Sequence, residues 1–434
     1  MKRMTFVLLV AGCGVDIGRP DGGPGAEPDL TASTGPQGCQ GLQCQIVSCP
    51  TGTDTTVTGR IFAPNGKDPV PGAQVYVPNM GLPEFPSTVS CDLCSDVQGA
   101  AANAQTTFDG RFTMTHVPAG QQIPIVIQLG RFRRVLHVDL TQCIGTTLTA
   151  DAGSTGTRLP HKDAELDPAD TVPHIAVATG DYDQIECVLK RMGLQQFDLY
   201  GDRDPGAPPA TVGTFASLLA DSTKLQSYNI LVVNCTNNQF DSALFQKNAL
   251  GNLHDFVGMG GRLYATDWAY DVIDQVTEFS PYLCFEPQNG AAMQCGGGAL
   301  SPMAADTTNP YSGPATIKDP GLLTWLGQFP GVLSGNKVEV DYSFVAVNQV
   351  AADTKNYPTT TWVEGMTNDF GVKPMTVTFD YMGCGRVHYS TYNTEPNGVV
   401  PDNERFPNCK ADFSPQERIL EYLVFEIASC VGVG

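Results

Sequence analysis

The 434-residue chain carries 25 Lys and Arg against 45 Asp and Glu, a formal charge of −20, and only 16% of its residues are charged. No basic stripe is available to neutralise phosphates, which excludes a nucleic-acid binder. Its 46 glycines and 32 prolines make about 18% of the chain, below the ~25–30% of disordered low-complexity sequence, so a folded protein of two or three domains is expected.

The N-terminus reads Met1-Lys2-Arg3, an apolar run from Met4 to Val10, then Ala11-Gly12-Cys13. A basic head, a short apolar stretch and small residues before a cysteine are the layout of an exported precursor. Val10-Ala11-Gly12-Cys13 resembles a bacterial lipobox, which implies removal of residues 1–12, lipidation at Cys13, and a place at the outer membrane, cell surface or periplasm. An ordinary secretory peptide is the alternative. Residues 13–49 are then a Cys-containing tether, whose start is poor in large apolar side chains and cannot offset the entropy of ordering.

Fourteen cysteines in an exported chain point to disulfides before metal. Cys39, Cys44, Cys49, Cys91, Cys94, Cys143, Cys284, Cys295, Cys384, Cys409 and Cys430 are the candidates, with pairing unassigned. Cys187 and Cys235 sit inside apolar periodic stretches and read as buried free thiols. Cys91-Asp-Leu-Cys94 leaves two alternatives open, half of a zinc knuckle or a redox dithiol.

Residues 50–150 alternate with period two. Val57-Thr-Gly-Arg-Ile61, Ala73 to Val77, Thr106 to Met114 with an Asp109-Gly110 turn, Ile123 to Leu129 and Phe132 to Leu140 read as short strands of an all-β sandwich. The order Thr56-Val-Thr-Gly-Arg-Ile-Phe62, Pro71-Gly-Ala-Gln-Val75, Asp109-Gly-Arg-Phe112 and Val117-Pro-Ala-Gly120 resembles the carboxypeptidase regulatory-like domain. That resemblance implies a transthyretin-like sandwich serving as a spacer or adhesive module. Some relatives in the wider fold bind glycans, for which Tyr76, Phe85, Phe132 and His137 are the available side chains.

After a linker at 151–171 the pattern changes to strand–helix alternation over 172–432. Ile175 to Thr179, Phe197 to Tyr200, Ile230 to Val233 and Arg262 to Thr266 read as strands. Ile185, Val188, Leu189 and Met192 form a helix face, Phe215 to Leu219 a second helix and Asp241 to Val257 a third. Met375 to Phe379 and Gly385 to Tyr392 are further strands, and Ser414-Pro-Gln-Glu417 opens a last helix with a capping box. This predicts an α/β, flavodoxin-like parallel sheet with helices on both faces. The Gly- and Pro-rich stretch 279–340 reads as a long insertion over one edge.

Tyr228 to Val233, Gly260-Gly-Arg-Leu-Tyr264 and Gly385 to Glu395 resemble the class I glutamine amidotransferase-like superfamily, including its trehalose-utilisation-type branch. In that family a nucleophilic cysteine occupies a strained elbow after the strand matching 262–266, paired with a histidine downstream. Here Ala265-Thr266-Asp267-Trp268 stands at the elbow and Asn393 at the histidine position, so no catalytic residue is carried over. No metal-ligand spacing occurs among the six histidines, and no cofactor is implied. The strand ends retain Asp181, Asn234, Asp267, Trp268 and Asn393 as candidate ligand-binding residues, at the edge where open α/β sheets bind ligands. The expectation is a lipid-anchored, non-enzymatic binding or structural protein with a glycan or surface-protein ligand; a carbohydrate-active protein using Asp267 and Trp268 is the alternative.

Overall fold

The computed structural model describes residues 38–91, 97, 99–148, 156–180, 182–201, 211–236, 241–244, 246–286, 306–394 and 405–429. The signal and lipidation expectations at 1–13, and Cys94, Asp181, Cys295 and Cys430, lie outside the described residues.

The first part of the chain forms two small sheets. One orders β4 (Arg111–Met114), β1 (Thr56–Arg60) and β7 (Gly145–Thr147); the other orders β3 (Ala100–Gln105), β2 (Gln74–Pro78), β5 (Gly120–Leu129) and β6 (Phe132–Leu140). Val57, Phe112 and Met114 from the first sheet share one apolar cluster with Val75, Ile125 and Ile127 from the second. The 106–114 run turns at Thr107–Gly110, on the expected Asp109-Gly110 pair, where Gly110 has φ +78°. A Cβ there would meet the Ile61 carbonyl oxygen at 2.4 Å.

A ten-stranded sheet organises the rest. At one side β9 (Asp198–Tyr200), β8 (Ile175–Ala178), β10 (Ile230–Val233), β11 (Arg262–Thr266) and β19 (Gly385–Ser390) are all parallel. In chain order this is the 2-1-3-4-5 arrangement of flavodoxin-like folds, with the order reversing between β8 and β10. Successive strand residues point to opposite faces. Ile175, Val177, Ile230 and Val232 pack with α1 (Ile185–Arg191) and α8 (Pro415–Ala428). Ala176, Ala178, Leu231 and Val233 pack with α2 (Phe215–Ala220), α3 (Ser222–Gln226) and α5 (Ala249–Gly258). The helix expected over 241–257 is two pieces, α4 (Asp241–Leu244) and α5, separated at Asn248, which takes a left-handed φ of +69°; Asn is one of the few side chains that tolerates it.

The expected parallel sheet is only half the truth. Beyond β19 it continues antiparallel through β18 (Gly371–Tyr381), β17 (Thr359–Thr367), β13 (Asp306–Ile317), β15 (Lys337–Val345) and β14 (Leu333–Ser334). The switch is made by the Met382-Gly383 turn, where both residues have positive φ, as a tight hairpin between twisted strands requires. Residues 306–340, within the stretch read as an insertion, therefore supply sheet strands and α7 (Pro320–Leu326). A small ribbon of β12 (Leu283–Phe285) and β16 (Val347–Val350) packs beside α6 (Asp271–Asp274).

The apolar cluster of the first sheets is continuous with the α1/α7/α8 face. Trp325 of α7 is fully buried and donates to the Pro69 carbonyl at 2.8 Å. The last helix starts as its sequence dictates: Ser414 Oγ accepts from Glu417 N, and the Glu417 carboxylate accepts from Ser414 N at 2.8 Å.

Disulfides join Cys39 to Cys44, Cys49 to Cys143, Cys91 to Cys384 and Cys187 to Cys409, and Cys284 is also disulfide-bonded. Two sequence readings fall. Cys187 is not a free thiol, because α1 presents it to the loop before α8. Cys91 does not act with Cys94 as a redox pair, because its partner is 293 positions away. Cys235 is the free cysteine among the described residues, and it is buried. No helix among the described residues is long and apolar enough to cross a membrane.

Candidate functional site

The carboxyl ends of β8, β10, β11 and β19 converge on a cavity of about 230 Å³ lined by Tyr182, Cys235, Asp267, Trp268, Tyr342, Phe344 and Asn393. It lies beside the point where the strand order reverses, the place such sheets bind ligands. Tyr182 follows β8, Cys235 follows β10, Asp267 follows β11 and Asn393 follows β19. Tyr342 and Phe344 reach it from β15, so the antiparallel extension closes the site.

Asp267 sits in a sharp strand-to-helix turn with φ +42° and starts a short 3-10 segment, Asp267–Tyr270. The apex of this strained strand-to-helix turn carries a carboxyl group. Tyr342 also has a positive φ, +57°. Two bulky or polar side chains held in this region line one cavity, and such strain persists where the surroundings over-determine it.

The polar floor is buried. The Cys235 thiol donates to Asp267 Oδ2 at 3.6 Å, and Val345 N donates to Asp267 Oδ1 at 3.3 Å. The Tyr389 hydroxyl donates to the Asp267 carbonyl at 2.8 Å. Burial holds the Asp267 carboxyl well above the usual carboxylate range, despite these donors. Burial, and then the neighbouring Asp267, push the Cys235 thiol well up. A thiol pushed up in this way stays protonated near pH 7 and is not an activated nucleophile.

The upper wall is aromatic. Trp268 meets Tyr182 edge-on with ring centroids 5.6 Å apart and Phe344 at 5.4 Å; Tyr342 continues the arc, 6.3 Å from Phe344. Trp268 Nε1 has no hydrogen-bond partner.

Of the residues singled out from sequence, Asp267, Trp268 and Asn393 meet in the cavity. Asn234 does not: the amide turns behind the floor, donating to Glu186 Oε2 at 2.7 Å and to the Asp183 carbonyl at 3.3 Å. Asp183 anchors that layer, accepting from Thr266 Oγ1, from Thr394 N at 2.9 Å and from Gln184 N at 2.9 Å. Thr266 Oγ1 in turn accepts from Cys235 N at 3.0 Å, so the buried acid positions both strand ends. Burial pushes Glu186 up to about 7. Tyr182, Tyr342 and Phe344 were missed. Tyr182 was legible from its place after the first parallel strand, whereas nothing in the sequence marks the backbone reversal at Tyr342.

In the first sheets, Tyr76 and Phe132 are buried. Phe85 lies under two arginines and His137 pairs with Asp167, so these side chains form no sugar-stacking platform.

No protein-family model matches the chain, and no curated protein matches it. Among solved structures, a glutamine amidotransferase from Thermotoga maritima is similar at 9% identity with a TM-score of 0.32, covering 59% of this chain and 98% of that chain. A ThuA-like protein from Parabacteroides merdae is similar at 10% identity with a TM-score of 0.35, covering 59% and 90%. A cytoplasmic protein from Salmonella typhimurium is similar at 12% identity with a TM-score of 0.34, covering 58% and 98%.

Proposed function

We propose that the chain is an exported, lipid-anchored binding protein. In this reading Cys13 carries the anchor and residues 50–150 act as a transthyretin-like spacer. The α/β part, at 172–432, holds a neutral sugar ring without performing covalent chemistry. The observation that carries the proposal is the cavity at the strand ends, with an aromatic arc facing a buried polar floor. Aromatic faces take the C–H side of a sugar ring, while Asn393 and the Asp267 carboxyl are the hydrogen-bonding side chains that line the cavity. At about 230 Å³ the cavity is smaller than the roughly 300–1,000 Å³ of sites for drug-sized ligands, which favours a single ring.

The raised pKa of the Cys235 thiol, with no histidine among the residues that line its cavity, supports binding over acyl transfer. A glycan array probed with the full chain tests the reading. Retention of neutral sugars that is lost in Trp268→Ala is expected; no glycan held above background by the wild type overturns it.

A further inference from the structure

A second cavity of about 450 Å³ opens at the opposite, amino end of the parallel strands, where His174 precedes β8 and Asn229 precedes β10. It shares no lining residue with the site at Trp268. Its other wall is the start of β6 and the turn before it, from which Arg133 and Arg131 both reach the Phe85 ring. Both arginines are about 95% buried. The Phe85 ring covers their guanidinium groups, with centroids 5.0 and 4.4 Å away.

Arg133 is the informative group. Its Nε donates to the Ala169 carbonyl at 3.0 Å and its Nη1 to the Pro83 carbonyl at 2.7 Å. Among the described residues Nη2 has no hydrogen-bond partner, and no carboxylate lies within ion-pair distance of the guanidinium. Asp170, Asp167 and Glu84 act on it only from beyond contact, so a buried cation met directly by carbonyls and an aromatic face gains from an anion that completes it. Burial accordingly draws the Arg133 pKa down. The lining carboxylate Asp163 is committed elsewhere, accepting from Val172 N at 2.8 Å and Gln196 Nε2 at 2.8 Å. Glu84, exposed on the cavity rim, makes no hydrogen bond or ion pair with the described residues.

We propose that this cavity is a binding site for a small molecule bearing an oxyanion, a carboxylate or a phosphoryl group, which docks on the open edge of the Arg133 guanidinium. The planar fork suits oxyanion geometry, and the remaining volume accommodates the body of the ligand. Glu84 then acts as a rim charge that opposes entry.

The test is thermal unfolding of the full chain titrated with sodium phosphate, sodium acetate or sodium chloride at matched pH and ionic strength. A saturable rise in Tm with phosphate or acetate, absent with chloride, is expected. Response to phosphate alone identifies a phosphoryl ligand, to acetate alone a carboxylate, and to both the general oxyanion site. Glu84→Gln leaves the fold intact and lowers the half-saturating concentration by about threefold, the scale of removing one partly screened like charge. Arg133→Gln removes the saturable component, while Trp268→Ala leaves it unchanged. No oxyanion-specific rise in the wild type overturns the proposal. So does a Glu84→Gln titration identical to wild type, which decides the matter even where Arg133→Gln fails to fold.

Discussion

The Cys235 thiol points at Asp267 Oδ2 across 3.6 Å, bridging the ends of two adjacent parallel strands. Burial raises both pKa values; the Asp267 carboxyl pushes the thiol up further, while the thiol's hydrogen bond acts to lower the carboxyl. The contact holds the thiol protonated rather than activated. Its two members close the floor of an aromatic cavity.

Thiol chemistry reads this directly. Alkylation of Cys235 by iodoacetamide at pH 8, followed by peptide mass spectrometry, is expected to be at least about a hundredfold slower in the native chain than in urea, since the thiolate is the reacting species. Labelling of the native chain at the unfolded rate would show an ionised, accessible thiol and refute the protonated one.

Asp267 itself separates charge from backbone. Because burial disfavours the carboxylate, Asp267→Asn keeps shape and polarity without the group that burial penalises, and Asn tolerates a positive φ. Urea unfolding is expected to show a change within about 1 kcal/mol. Asp267→Val places a β-branched residue at φ +42° and leaves the Val345 amide without its acceptor, and is expected to cost about 3 kcal/mol or more. Equal costs for the two substitutions would mean that the negative charge, not the elbow, is what the site requires.

Glu186 sets the pH dependence of the layer behind the site. The folded residue titrates near 7 because burial disfavours its charge, against 4.5 for the ordinary side chain. The folded chain therefore binds this proton more tightly than the unfolded one. The stability contribution is complete below about pH 4.5 and is lost as the pH rises through 7. The difference amounts to at most roughly 3 kcal/mol. Glu186→Gln stays neutral and still accepts from Asn234. Relative to wild type it should gain about 2–3 kcal/mol between pH 5 and pH 8 in urea unfolding. A constant difference across that range would show that Glu186 does not titrate there.

The parallel half of the sheet was legible because its strands are short apolar runs such as Ile230–Val233, bounded by turn residues and helix faces of period 3.6. The last helix was legible from Ser414, Pro415 and Glu417, whose chemistry is local. The antiparallel half was not, since the sequence over 306–345 mixes Thr, Gly, Pro and Tyr, and its pairing is set by partners distant in the chain. Pairing of Cys187 with Cys409 is equally non-local: the helical spacing around Cys187 says only that it faces inward. The site divides the same way. Asp267, Trp268 and Asn393 follow from the strand-end rule, while Tyr342 and Phe344 depend on a strand added across the sheet.

Gly130 tests how firmly the first sheets are seated on the rest. It turns the chain between β5 and β6 with φ +53°, and a Cβ there would lie 1.7 Å from the Ala428 carbonyl oxygen at the end of α8. That carbonyl belongs to helix backbone and cannot swing aside as a side chain would. Gly52 provides the matched control, with φ +88° and nothing within 4 Å of a Cβ. Gly52→Ala is expected to cost about 1–2 kcal/mol from backbone strain alone. Gly130→Ala carries the same strain plus the displacement of the hairpin from α8, and is expected to cost about 3 kcal/mol or more in urea unfolding. If the two alanines cost the same, the hairpin accommodates the collision freely and the seating of β5 and β6 on α8 contributes little to the stability of the whole chain.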